Sequence, residues 1–195
     1  MSYIYLTADA HFGHGNIGVY CNRPTARKED LVDGKWVSGL AAVAAAERMD
    51  AFLIRKWNER VKPEDTVFHL GDFVTYGCAM GVKGQRNKPE WYEGQLNGKI
   101  VHVLGNHDRN NRLTRGLESA TIKIGGKLFL MRHHPQYDPN SDPAACGVLC
   151  GHVHDNWPER FINGIPFINV GVDVRGYQPI RVGDVFGIYE RMMRQ

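Results

Sequence analysis

Five times along this chain, a short apolar stretch leads directly into histidine, aspartate or both. The clearest case is Val101–Asp108, VHVLGNHD, in which an apolar run ends at Gly105 and three polar side chains follow at once. Asn106, His107 and Asp108 bring a carbonyl oxygen, an imidazole and a carboxylate to one point in space. A strand that ends in this way is suited to holding a metal ion or a phosphate. The repetition predicts a fold in which several strand ends supply one polar site.

The other four repeats have the same form and occur in order along the chain. Their polar residues are Asp9 and His11, then Asp72, then His133 or His134, and finally His152 and His154. Two residues separated by one point to the same side of an extended chain, so each D-x-H or H-x-H pair can grip one ion. Mixed imidazole and carboxylate ligands suit Zn, Mn, Fe or Ni better than Mg or Ca. Because one ion needs fewer ligands, we expect two ions about 3.5–4 Å apart that share a carboxylate.

Length and composition are those of an ordinary globular protein. The chain has 195 residues, of which 43% are hydrophobic and 23% charged, and we expect a single domain over residues 1–195. The formal net charge of +3 is too small to argue for nucleic acid as a partner. The N-terminus has no basic region before a long apolar run, and no apolar stretch approaches the roughly 20 residues that cross a bilayer. We therefore expect neither a signal peptide nor a membrane partner.

The cysteines are few and scattered. Cys21, Cys78, Cys146 and Cys150 occur in a chain large enough not to need disulfides, which favours reduced thiols and a cytoplasmic location. Cys146 and Cys150 have the spacing of half a zinc site, but the absence of a second cysteine pair argues against one.

Apolar spacing predicts many short strands and few helices. Ser38 is a suitable N-cap for a helix that runs to about Val61, and a short helix is predicted near Pro89–Leu96. Phe12–Arg23 is predicted to be a loop and Ala26–Lys35 an exposed charged segment. The pattern indicates an α/β or α+β domain. The predicted strands are Tyr3–Ala8, Thr66–Leu70, Lys99–Leu104, Thr121–Ile124, Lys127–Met131, Gly147–Cys150, Arg160–Ile162, Ile165–Val170 and Val182–Tyr189.

The ordered motifs D-x-H, G-D, G-N-H-D, a lone His and G-H-x-H resemble those of the calcineurin-like metallophosphoesterase superfamily, from Asp9 to about Asp173. The chain is most similar to small bacterial and phage phosphoesterases that carry H-F-G-H-x-N-I near the start. Residues 11–17 here are HFGHGNI, residues 21–24 are CNRP, and residues 169–173 are NVGVD. The resemblance implies a sandwich of two mixed β-sheets flanked by helices, with a dinuclear metal site at the strand ends.

The resemblance also implies a role for each motif residue. Asp72 would bridge the two ions, and His133 is favoured over His134 because the similar proteins have His, a variable residue and then Pro. His107 resembles the histidine that faces the phosphate and protonates the leaving oxygen, and Asp108 would orient it or pack nearby. The first ion would be bound by Asp9, His11 and His154, and the second by Asn106, His133 and His152.

Several further polar residues leave two interpretations open. Asn106 is expected to line the substrate pocket. His14 either lines that pocket as well or orders its own loop. Arg23 and Arg132 could each meet a phosphate oxygen or could be structural. His69 and His102 lie within strands just before their motifs, so we expect them to be core histidines or to support the ligands.

These roles fit a coherent hydrolytic mechanism. Two divalent ions lower the pKa of a bridging water, so that hydroxide forms near neutral pH, and they clamp the phosphate oxygens. A histidine such as His107 can protonate the leaving alkoxide, which favours diesters over monoesters. We expect a small-molecule phosphoester substrate and Mn²⁺, with Fe, Zn or Ni as alternatives.

The alternatives are a protein phosphatase, a nuclease, a phosphomonoesterase and a metal-bound scaffold protein. Where the Ser/Thr phosphatase branch has V-D-R-G after G-D, this chain has FVTYG, and G-N-H-D replaces G-N-H-E, so we do not expect protein phosphatase activity. A nuclease calls for a basic stripe, and the Lys and Arg residues are dispersed. An inactive scaffold would have lost His107 or the bridging carboxylate, and both are present. Residues 26–46 shape the pocket or an oligomer contact, and the oligomeric state is open.

Overall fold

A computed structural model of the chain describes residues 1–75 and 88–194. Its helices are α1 (Gly15–Tyr20), α2 (Gly39–Arg60), α3 (Pro89–Glu93) and α4 (Val182–Met192). Its strands are β1 (Ile4–Thr7), β2 (Leu31–Val32), β3 (Lys35–Trp36), β4 (Thr66–Leu70), β5 (Lys99–Val103), β6 (Ala120–Ile124), β7 (Lys127–Met131), β8 (Gly147–Cys150), β9 (Glu159–Ile162), β10 (Ile165–Asn169) and β11 (Ile180–Arg181). Cys78 lies outside these described residues.

Two mixed sheets form the body of the fold, as predicted. The first has the strand order β11-β1-β4-β5, and the second has the order β6-β7-β8-β10-β9. Strands β1, β4 and β5 run parallel to one another, and so do β7, β8 and β10. A parallel bridge between Ala8 and Gly171 joins the two sheets just past the ends of β1 and β10. Because the carboxyl ends of parallel strands lie at one edge of a sheet, this edge gathers the residues that follow these strands.

The main core lies between the two sheets, because alternate residues of each strand point inward. In β1, Leu6 faces this core while Tyr5 faces α2 on the outer side of the first sheet. In β10, Ile168 faces the same core while Phe167 packs on the outer side of the second sheet. Each fully buried apolar side chain of this size contributes about 1.5–3 kcal/mol to folding. The inward alternation therefore fixes the register of both sheets.

Helix α2 begins where the sequence predicts. The Ser38 Oγ accepts a hydrogen bond from the Ala41 N–H at 3.1 Å, which satisfies a donor in the first turn. The predicted apolar residues on one face of α2 are all buried, including Met49, Leu53 and Trp57. This face covers the outer side of the first sheet and closes a second core cluster.

Two predictions of secondary structure are wrong. The segment Val182–Tyr189 is helix α4 rather than a strand, and only β11 just before it is extended. Its β-branched and aromatic residues favour a strand locally, but the buried residues Val185, Ile188, Tyr189 and Met192 recur at helical spacing and close the core between the sheets.

The second wrong prediction concerns Phe12–Arg23, which contains the short helix α1 instead of loop alone. Buried Ile17 packs α1 into the core beside α2, and this tertiary packing outweighs the turn preference of the surrounding Gly and Asn residues. The other eight predicted strands lie within one residue of their predicted bounds, and the short helix near Pro89 is present as α3. Among the described residues, no helix is long and apolar enough to cross a membrane.

Candidate metal centre

The residues that follow the parallel strands converge at one edge of the fold with unusual backbone angles. Asp9, His11, Asp72, His152 and His154 all have left-handed φ values, between 49° and 72°. Non-glycine residues in this region cost of order 1–3 kcal/mol each and persist where the surrounding structure holds them for a function. All five were predicted as metal ligands, and they are half of the ten non-glycine residues with positive φ among the described residues.

Glycines allow the strand ends to approach one another this closely. A Cβ added to Gly151 would lie 2.6 Å from the Asp9 Oδ2, and one added to Gly105 would lie 2.6 Å from the Asp72 backbone nitrogen. Neither distance is possible for a real side chain, because both are well inside van der Waals contact. This explains the glycine that precedes the polar residues in G-N-H-D and G-H-x-H.

The first group of candidate ligands consists of Asp9, His11 and His154, whose ligand atoms lie within 4.8 Å of one another. The Nδ1 of His11 is 2.9 Å from the Thr75 Oγ1, and the Nδ1 of His154 donates to the Asp173 Oδ2 at 2.8 Å. The buried Nε2 of His11 has no hydrogen-bond partner among the described residues. Fixing Nδ1 in this way orients an imidazole so that Nε2 can serve as a ligand, which is the usual arrangement in metal sites.

A second group forms around His133. Its Nδ1 donates to the Leu70 carbonyl at 2.8 Å, and its Nε2 lies 3.1 Å from the Asn106 Oδ1 and 3.2 Å from the Asp72 Oδ2. His152 also lies here, with its ring centroid 5.1 Å from that of His133. His133 is buried whereas His134 is only half-buried, which fits the expectation that His133 is the ligand.

Asp72 lies between the two groups. Its Oδ2 is 3.5 Å from the Nε2 of His11 and 3.2 Å from the Nε2 of His133. Its Oδ1 accepts a hydrogen bond from the His107 backbone N–H at 3.0 Å, which fixes the carboxylate plane. One oxygen therefore faces both groups, as a bridging carboxylate must.

The electrostatics of the site fit cation binding. Burial raises the pKa of the Asp9 carboxyl to about 6, although His133 and His154 act in the opposite direction. Burial also acts to raise the pKa of Asp72, but a hydrogen bond to His133 and the charge of that ring hold it below its usual range. Burial lowers the pKa of His11, so its ring is neutral near pH 7. Buried carboxylates beside imidazole nitrogens form a donor set that suits divalent cations.

Comparison with known proteins gives a family for this geometry. The model of the calcineurin-like phosphoesterase superfamily domain matches residues 49–180. The chain belongs to the calcineurin-like phosphoesterase superfamily. It is 30% identical over 200 residues to an uncharacterized protein of Methanocaldococcus jannaschii, covering 98% of this chain and 93% of that protein. The sequence-based resemblance to this superfamily is confirmed.

Two further comparisons agree with this family. The Gene 66 protein of a Mycobacterium phage is 29% identical over 115 residues, which span 59% of this chain and 45% of the phage protein. A protein of unknown function from Aquifex aeolicus superposes with a TM-score of 0.63 at 22% identity, covering 96% of this chain and all of that chain (100%). This structural likeness supports the fold predicted for a calcineurin-like phosphoesterase. The superfamily binds a dinuclear divalent metal centre, and this chain has candidate ligand groups for both ions.

Arg23 does not take the substrate-binding position that the motif suggested. Its side chain is 1% exposed, and its Nε donates to the Asp173 Oδ1 at 2.7 Å. Its two terminal nitrogens donate to the carbonyls of Ala10 at 3.0 Å and Asp9 at 2.7 Å. The other two N–H groups donate to the Asp173 Oδ2 at 3.0 Å and the Met49 Sδ at 3.4 Å, so none of the five donors is left for a phosphate. Arg23 instead connects the D-x-H segment to Asp173, which in turn contacts His154 of G-H-x-H.

Of the two expectations for Asp108, orienting His107 or packing nearby, the contacts of its carboxylate support the second. Its buried carboxylate accepts three backbone hydrogen bonds, from Asp72 at 2.9 Å, from Phe73 at 2.8 Å and from Gly105 at 2.7 Å. It therefore fastens the segment after β4 to the segment after β5. We assign Asp108 to positioning rather than catalysis.

The residues expected to meet substrate lie on the open side of the centre. Asn106 and His107 are exposed, and the His107 ring centroid is 5.7 Å from that of His11. The His14 ring centroid is 5.6 Å from that of His11, and burial with the Arg23 charge lowers the pKa of His14 to about 4. Arg132 points elsewhere, because its Nη1 donates to the Asp142 carboxylate at 2.8 Å. His14, Asn106 and His107 thus remain candidates for substrate contact.

Several supporting residues were not identified from the sequence. Asp173 orients His154, and the Asn169 amide donates to the carbonyls of His154 at 2.8 Å and Trp157 at 3.0 Å. The N-V-G-V-D motif contains both residues and could have indicated them. Asp50 on α2 accepts from the Gly13 N–H at 2.9 Å and so fixes the H-F-G-H loop.

His69 and His102 are buried core residues, as expected. His102 Nε2 is 2.9 Å from the Glu93 Oε1, whereas the His69 ring nitrogens have no partner among residues 1–75 and 88–194. They lie beside each other on β4 and β5, behind the candidate centre.

Proposed function

We propose that this chain is a metal-dependent phosphodiesterase that hydrolyses small-molecule phosphodiesters and works best with Mn²⁺. The proposal rests mainly on the position of the Asp72 Oδ2. This oxygen lies 3.5 Å from the Nε2 of His11 in the first ligand group and 3.2 Å from the Nε2 of His133 in the second. Free thiols at Cys21, Cys146 and Cys150 support a cytoplasmic location. The proposed metal ligands are Asp9, His11, Asp72, Asn106, His133, His152 and His154.

The chain's own groups have distinct tasks in this reaction. When bound, two divalent ions supply Lewis-acid activation of water and neutralise charge on the phosphate. Asp72 keeps the two ligand groups at a fixed separation, and its Oδ1 holds the His107 backbone at 3.0 Å. The exposed His107 ring is then placed at the rim of the centre, where it can hold a proton near the leaving oxygen. An alkoxide leaving group needs that proton, which supports a diester as the substrate.

A comparison of two chromogenic substrates tests the proposal. With Mn²⁺, the purified protein should hydrolyse bis(p-nitrophenyl) phosphate faster than p-nitrophenyl phosphate, and a chelator should abolish both activities. Monoester turnover far above diester turnover would reverse the substrate assignment. Absence of hydrolysis of both esters with Mn²⁺, Fe²⁺, Zn²⁺ and Ni²⁺ would overturn the enzyme assignment.

The His107→Ala variant should lose activity in a way that depends on the leaving group. We expect kcat for methyl phenyl phosphate to fall by about 10²–10⁴-fold, the usual contribution of a general acid. The fall should be smaller for methyl p-nitrophenyl phosphate, because p-nitrophenolate leaves readily without a proton. Metal analysis should still find two ions per chain.

Asn110→Ala is the matched control, since Asn110 is exposed and three residues away. It should leave both rates unchanged. An equal loss of both activities in His107→Ala would argue against a proton-donating role, and loss of an ion would mean that His107 is a ligand.

A further inference from the structure

Three imidazoles crowd together at the second ligand group, and one of them has no assigned role. The ring centroid of His134 is 4.1 Å from that of His152 and 5.1 Å from that of His133. One ring nitrogen of each of the three residues lies within 4.8 Å of the other two. Nitrogen ligands about 2.0–2.1 Å from one ion lie within about 4 Å of each other. The three rings are therefore close to the spacing that a shared ion requires.

The loop that carries His134 is held in place from both ends. His133 is anchored by its Nδ1 to the Leu70 carbonyl at 2.8 Å, and Pro135 restricts the backbone that follows. On the far side, the Asp142 carboxylate accepts from the Arg132 Nη1 at 2.8 Å and from the Asp138 N–H at 2.8 Å. These contacts hold the loop so that His134 lies beside the candidate centre.

Within the described ranges, no hydrogen bond accounts for the position of the His134 ring. The backbone carbonyl of His134 accepts from the Gln136 N–H at 2.8 Å, but its ring nitrogens have no partner in residues 1–75 and 88–194. The half-buried ring packs against two imidazoles that are themselves proposed ligands. One of its ring nitrogens lies within 4.8 Å of a ring nitrogen of His133 and of His152 and is available to coordinate a cation.

We propose that His134 is an additional nitrogen ligand of the metal position formed by His133 and His152. This inference rests on the proposed metal centre and makes its two positions unequal. The His133 position gains a third imidazole, whereas the other position has two imidazoles with Asp9 and Asp72. Imidazole-rich sites favour Zn²⁺, Co²⁺ and Ni²⁺, and carboxylate-rich sites suit Mn²⁺. The chain should therefore prefer a borderline ion at the His133 position and accept Mn²⁺ at the other.

Titration of metal-free protein with Co²⁺, followed by visible absorption and calorimetry, tests this inference. The wild-type protein should bind two Co²⁺ ions with unequal Kd values. His134→Phe keeps a packed ring but removes its nitrogens, and we expect it to weaken one of the two sites at least 10-fold and change its absorption bands. Even residues that only orient a ligand give losses of about 10–100-fold. His134→Gln should weaken the same site.

Gln136→Ala is the matched control, because Gln136 is exposed on the same loop. It should leave both Kd values and the spectrum unchanged. Unaltered Co²⁺ binding in His134→Phe would overturn the inference. So would unaltered Co²⁺ binding together with weaker affinity for inorganic phosphate, because His134 would then contact substrate. Failure of the wild-type protein to bind any Co²⁺, Mn²⁺ or Zn²⁺ would instead overturn the proposed function itself.

Discussion

Replacing Arg23 with methionine is expected to lower the free energy of unfolding by about 3–5 kcal/mol. Arg23 and Asp173 form an ion pair in which each side chain is 1% exposed. Removing the guanidinium takes the arginine charge away from the buried Asp173 carboxylate, which keeps only its bond to His154 among the contacts described above, and it also leaves the carbonyls of Asp9 and Ala10 without their donors. Urea denaturation of the metal-free protein at neutral pH measures the loss.

Arg55→Met provides the control for this prediction. Arg55 is an exposed arginine on α2 whose Nη1 donates to the Glu59 carboxylate one helical turn away at 2.7 Å. Exposed pairs of this kind contribute little to stability because water screens them, so this change should be mild. A loss of unfolding free energy in Arg23→Met as small as that in Arg55→Met would contradict a stabilising role for the buried ion pair.

The same variant should affect the metal centre at a distance. Burial acts to lower the pKa of His154, but its hydrogen bond to the Asp173 carboxylate raises that pKa to about 10, and the same bond orients the ring. Without Arg23, Asp173 is free to move, and the Nε2 of His154 is less well aimed. We expect a weaker first metal position, by the roughly 10–100-fold typical of lost supporting contacts.

Replacing Asp108 with asparagine is the second change with a large expected effect, a loss of about 3 kcal/mol of stability. The carboxylate accepts three backbone hydrogen bonds, and an amide can accept on only one of its two atoms. If the amide nitrogen takes the place of Oδ1, the buried Phe73 N–H faces an NH₂ group. If it takes the place of Oδ2, the N–H groups of Asp72 and Gly105 both face it. Because this junction sets the separation of Asp72 and Asn106, kcat should also fall about 10²-fold.

Asp184→Asn separates this effect from a general loss of charge. Asp184 is exposed and accepts from the Arg60 guanidinium at 2.8 Å, so its replacement should change stability by about 0–1 kcal/mol. Wild-type stability and wild-type kcat in Asp108→Asn would contradict the role assigned to Asp108. Loss of kcat with unchanged stability would instead place Asp108 in the chemistry.

The candidate site could be predicted from the sequence because its ligand residues lie in short motifs of neighbouring residues. Each ligand follows its own strand by two to four residues, so motif order alone groups Asp9, Asp72 and His152 without any knowledge of distances. The parallel strands then bring these ends together by topology. The glycines of G-N-H-D and G-H-x-H belong to these same motifs and could be predicted with them.

The supporting contacts could not be predicted, because they join residues that are distant in sequence. Arg23 and Asp173 are 150 positions apart, and Asp108 contacts the chain 35 and 36 positions earlier. Motif matching left Arg23 as either phosphate-binding or structural and Asp108 as either orienting His107 or packing nearby, because it carries no information about which way a side chain is buried. Helix α4 was mistaken for a strand for a related reason. Its local composition favours a strand, and only the space between the sheets selects the helix.

Two divalent ions held around Asp72 are expected to make this chain a phosphodiesterase. The most direct test is the initial rate of bis(p-nitrophenyl) phosphate hydrolysis as metal-free protein, well above the Kd values, is titrated with Mn²⁺. We predict no activity without metal, a rise with added ion and a plateau at two equivalents per chain. A rate that is independent of Mn²⁺, or that stays at the background level at every ratio, would contradict the claim.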